Sequence, residues 1–138
     1  ENIRFTSSQN FYEDGLFAYK VYARAKYVRA LPDTFYEYNI ENPDSSCSKM
    51  TEKDRLIAIL NTIKETLADW QSINIYDENI TDFVDHILLY ASLVCPNVID
   101  GNYTKEITNA FGFDISGAEN NTKYKPQTQE LIKRLTKN

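Results

Sequence analysis

Glycine and proline are scarce in this chain, with four of each among 138 residues. A β-sandwich or barrel needs a turn roughly every 8–12 residues, so this supply excludes an all-β architecture. No run of about 18 apolar residues exists to cross a membrane. Histidine occurs once and cysteine twice, at distant positions, which leaves a structural zinc site short of ligands. A serine triad would have to recruit the same His86, and no Gly-X-Ser-X-Gly elbow is present to hold its nucleophile. Phosphate-cradling glycine loops are absent too. Basic charge is in deficit: the net charge is −5 and the pI about 4.9, which disfavours nucleic acid and anionic membranes as partners. The first residues, Glu1 to Phe5, lack an initiator Met and read as what a removed leader, or a trimming of the chain, leaves behind.

Aromatic side chains are plentiful instead. Ten Tyr and seven Phe stand beside a single Trp. Tyrosine combines an apolar body with a polar tip, so it serves cores, pockets and contact surfaces alike. Cys47 and Cys95 form the simplest even set, 48 positions apart. A bridge between them would close a long loop and add on the order of 4 kcal/mol. Three sequons, at Asn79, Asn102 and Asn120, fall at expected loops or helix starts, where glycan is accepted. Paired cysteines and sequons together point to a secreted, extracellular glycoprotein.

Apolar periodicity reads as helix throughout. A first helix spans about Gln9 to Leu31, with Phe17, Val21, Ala25 and Val28 on one stripe, and Pro32 stops it. Residues 33–50 make a polar connection with a short turn and Cys47. Thr51 caps the next helix, with Asp54 three residues on, and Leu56, Ile59, Leu60, Ile63, Leu67 and Trp70 recur at helical spacing to about Ser72. Residues 73–80 connect to a third helix capped by Thr81, burying Phe83, Val84, Ile87, Leu88, Ala91 and Val94 and ending at Cys95-Pro96. A short helix follows from Thr104 to Gly112, and Pro126 opens a last one through Leu131, Ile132 and Leu135. The expected fold is all-α: one domain over residues 1–138, an irregular bundle of about five helices closed by one disulfide.

No catalytic or metal-binding residue and no cofactor emerges from the motifs. Asp82 and Asp85 flank His86, yet all three lie off the apolar stripe of their helix, as solvated side chains do. Asp114 to Lys125 fails as a calcium loop, with Glu119 at the sixth position and Lys125 at the twelfth. Asp77, Glu78, Asp82 and Asp85 crowd a helix start, where acids are favoured without a metal. One positive feature remains. Residues 1–31 carry five Lys/Arg against three acids while the rest of the chain stands at −7. Lys20 and Arg24 lie one turn apart there, with Tyr27 nearby, a ridge suited to anchoring an acidic partner protein or an anionic small ligand. The expected function is therefore a secreted, non-catalytic helical protein that binds another protein, as cytokine-like or host-interaction effectors do. The alternative is a carrier for a small apolar or amphipathic ligand in a helical cavity.

Overall fold

A computed structural model describes residues 3–5, 11–32, 42–97, 103–112, 115 and 121–136, without the side chains of 46, 47, 76, 77 and 78. The described residues are helical, without strands: α1 Glu13–Tyr22, α2 Ser46–Lys49, α3 Glu52–Ser72, α4 Tyr76–Val94, α5 Thr104–Phe111 and α6 Pro126–Thr136. Five of these have eight residues or more, and α2 is a single turn. No described helix is long and apolar enough to cross a membrane.

α3 is the axle of the bundle, and α1, α4 and α5 all pack on it while α6 packs on α4. Its start is fixed by the expected capping box. Asp54 N–H donates to Thr51 Oγ1 at 3.1 Å, and Thr51 N–H donates back to the Asp54 carboxylate at 3.3 Å. Leu56, Ile59, Ile63, Leu67 and Trp70 then turn one face inward. Asn74 adopts the left-handed conformation, φ 59°, that Asn tolerates better than most residues, and so reverses the chain after three connecting residues. α3 and α4 thus form an antiparallel hairpin whose seam buries Phe83, Val84, Ile87, Leu88 and Ala91. Gly112, φ 72°, closes α5 with its N–H on the Thr108 carbonyl. Pro126 opens α6, as the sequence predicts.

The structure corrects four expectations. First, no disulfide is formed: Cys95 is a free thiol, 0% exposed. Its position explains this, because it continues the stripe Val84, Ile87, Leu88 and Ala91 by one more turn and is simply a core residue. The side chain of Cys47 lies outside the described residues. Second, the first helix is Glu13–Tyr22, not Gln9 to Leu31. Lys20 pairs with Glu65 and Arg24 with Asp69, so α1 runs parallel to α3, which ends at Ser72. Residues 25–32 are exposed, so past Arg24 the segment has no packed face, and a helix without one is not sustained. Third, α4 starts at Tyr76, which makes Thr81 an interior residue rather than a cap. Fourth, Asp85 is 2% exposed. Its carboxylate accepts the Lys125 N–H at 3.0 Å, immediately before α6, where the helix dipole favours negative charge.

Gly15 is fixed by a close approach. The ring of Tyr12 folds over the first turn of α1, and a Cβ at Gly15 would stand 2.7 Å from it. Tyr12, itself at φ 60°, thereby stacks on Tyr90 of α4 with ring centres 4.4 Å apart.

Candidate functional site

The turn end of the hairpin carries a cleft of about 340 Å³. α1 supplies Tyr19, Tyr22 and Ala23; α3 supplies Trp70; α4 supplies Asn79, Asp82, Phe83 and His86. On α4 these four positions are i, i+3, i+4 and i+7, one continuous stripe facing α1. The floor is a cluster of rings at steep angles. Tyr19 meets Phe83 at 4.9 Å and 90°, Trp70 meets Phe83 at 5.2 Å and 62°, and Tyr19 meets Trp70 at 6.4 Å and 86°. Such edge-to-face packing is worth about 0.5–1.5 kcal/mol per pair beyond area burial, so the floor is held rigidly. Tyr22, 62% exposed, stands at the rim.

Polar groups converge on the same place. Tyr19 Oη lies 2.7 Å from His86 Nδ1 and 3.1 Å from Tyr12 Oη, giving a chain of three side chains. Burial is the main cause holding the Tyr19 phenol above its ordinary value of 10.0, and its hydrogen bond to Tyr12 adds to this. Tyr12 is raised as well, chiefly by burial, against the opposing effect of its bond with Tyr19. Both phenols therefore remain neutral at physiological pH and can each donate one hydrogen bond. The indole N–H of Trp70 is buried without a partner among the described residues. Asn79 donates its amide to the Ile75 carbonyl at 2.9 Å, closing the first turn of α4. Asp82 is exposed and makes neither ion pair nor hydrogen bond among the described residues.

The residues singled out from sequence are distributed differently. Lys20 reaches Glu65 at 3.4 Å, and Arg24 holds Asp69 through two hydrogen bonds of 2.6 and 2.9 Å. The basic ridge is thus turned toward α3, where the chain's own acids meet it. Tyr27 is 94% exposed, beyond the end of α1. Of the sequons, Asn79 sits half-buried in the first turn of α4, while Asn102 and Asn120 lie outside the described residues. His86 is exposed, as expected, yet it joins the cleft through Tyr19. No group of three or more His, Cys, Asp or Glu able to hold a metal exists among the described residues.

Tyr19 and His86 are 67 positions apart, and their meeting has no sequence signature. The stripes themselves do: Tyr19, Tyr22 and Ala23 recur at helical spacing, as do Asn79, Asp82, Phe83 and His86. Comparison of the chain with protein families, curated proteins and solved structures finds no match.

Proposed function

We propose that the protein is a non-catalytic binding protein whose cleft takes a small amphipathic ligand. The observation that supports this reading is the cleft's composition: about 340 Å³ bounded by three packed aromatic rings and a few polar tips. That size lies at the lower end of small-molecule sites, which are mostly apolar with a few orienting polar groups. Tyr19, Asn79, Asp82 and His86 are the orienting groups here. Native mass spectrometry of protein from a eukaryotic source tests the reading. A mass that falls on denaturation by roughly the size of a small molecule supports it. An unchanged mass, with no small-molecule probe perturbing Trp70 fluorescence, sinks it.

A second reading, engagement of another protein, rests on a different observation. Tyr27, Val28 and Leu31 are 94%, 70% and 55% exposed on the non-helical segment after α1, a concentration of apolar surface that contact sites share. Deleting these side chains would abolish partner capture while leaving the cleft intact. Secretion rests on the sequons, and the reduced Cys95 lends it no support.

A further inference from the structure

The ligand class follows from the charges around the cleft, given the binding reading above. Among the described residues Asp82 is the one carboxylate in the lining, and it has no partner there. No Lys or Arg among the described residues lines the cleft. Two neighbouring cations, Lys20 on α1 and Arg24 just after it, are held on α3 by Glu65 and Asp69. A phosphate or carboxylate ligand would therefore meet a negative charge without a Lys or Arg to compensate it. A purely apolar ligand would strip water from Asp82 and return nothing, which costs free energy. An organic ammonium satisfies both halves of the site. Its charge is attracted to the electron-rich faces of aromatic rings and forms a charge-assisted hydrogen bond with a carboxylate.

We infer that the cleft binds a small aromatic amine, its ammonium group on Asp82 and its ring among Tyr19, Tyr22, Trp70 and Phe83. The volume accommodates a single ring with a short aminoalkyl arm. His86 lies one turn after Asp82 on the same face of α4 and is tied to Tyr19 at 2.7 Å, which holds it to the wall of the cleft.

Trp70 is the sole tryptophan and forms part of the floor, so its fluorescence reports occupancy directly. Titration with 2-phenylethylamine, 2-phenylethanol and phenylacetate, read by Trp70 emission and by calorimetry, separates charge from shape. The amine is expected to bind about tenfold or more tighter than the alcohol, with the anion weakest. Asp82→Asn is expected to erase that preference by weakening the amine about tenfold and leaving the alcohol unchanged. Tyr22→Ala, at an exposed rim position, weakens the amine with an unaltered helical signal in circular dichroism. Equal affinity for amine and alcohol, or undiminished amine binding by Asp82→Asn, overturns the ammonium inference and leaves the cleft reading standing. Binding of none of the three probes overturns both.

Discussion

The two ends of the α3–α4 hairpin are built from the same helices and solve opposite problems. At one end, where α3 begins and α4 finishes, hydrogen bonds tie the two helix termini together. Glu52 accepts both the backbone N–H and the side-chain amide of Asn97, at 3.0 and 2.8 Å, and Arg55 donates to the Val94 carbonyl at 3.3 Å. Cys95 lies sealed beneath them. At the other end, where α3 finishes and α4 begins, the Trp70 N–H and the Asp82 carboxylate have no partner among the described residues, and a cleft opens. A closed end carries stability; an end with unmatched groups retains the capacity to bind something.

Three measurements sharpen this contrast. Leu56, 1% exposed near the closed end, is expected to cost about 3 kcal/mol on replacement by Ala, because the packed seam cannot collapse around the cavity. A chemical-denaturation curve measures it, and a loss under about 1 kcal/mol would show that this end is loosely packed.

The next largest effect is alkaline. Burial, with the Glu52 carboxylate beside it, raises the Cys95 thiol from 9.0 to about 11, against a smaller opposing influence from Arg55. The native state keeps its proton where the unfolded chain has lost it, so stability is unaffected below pH 9 and declines between pH 9 and 11. The decline amounts to about 2 kcal/mol, and Cys95→Ala removes that contribution. Tyr12 and Tyr19 add a decline of the same sign at higher pH, which the variant retains. Thiol reagents at neutral pH should leave Cys95 unmodified until the protein unfolds; rapid native labelling would contradict a sealed end.

The smallest of the three is the capping box. Thr51→Ala is expected to cost about 1 kcal/mol, since Asp54 N–H loses its acceptor. Its midpoint shift should add to that of Tyr22→Ala at the opposite end, because the two sites share no contacts.

Much of this architecture is legible in the sequence, and the legible parts share a cause. Thr51 with Asp54, Gly112 and Pro126 are local devices, so the start of α3, the end of α5 and the start of α6 follow from neighbours in the chain, whereas α5 begins behind Tyr103 rather than with Thr104 as its cap. α4 escapes this because Ile75 stands at its N-cap without a side-chain bond, and Thr81 offers a false start. α1 is overextended because residues 25–31 recur at helical spacing yet find no packed face, a tertiary fact that their own sequence does not encode. Cys47 and Cys95 invite pairing by number alone, whereas the stripe that buries Cys95 was already visible in Val84, Ile87, Leu88 and Ala91. Both walls of the cleft are readable as stripes; that they face each other is a tertiary fact.

The pairs Lys20–Glu65 and Arg24–Asp69 have a consequence beyond their modest strength. They are spaced one helical turn apart on two parallel helices, like two teeth of a rack. A slip of α1 by one turn, about 5.4 Å, would carry Lys20 onto Asp69 and leave Arg24 beyond the last turn of α3. Tyr19 and Tyr22 travel with that same helix. The two ion pairs therefore index one wall of the cleft against the other.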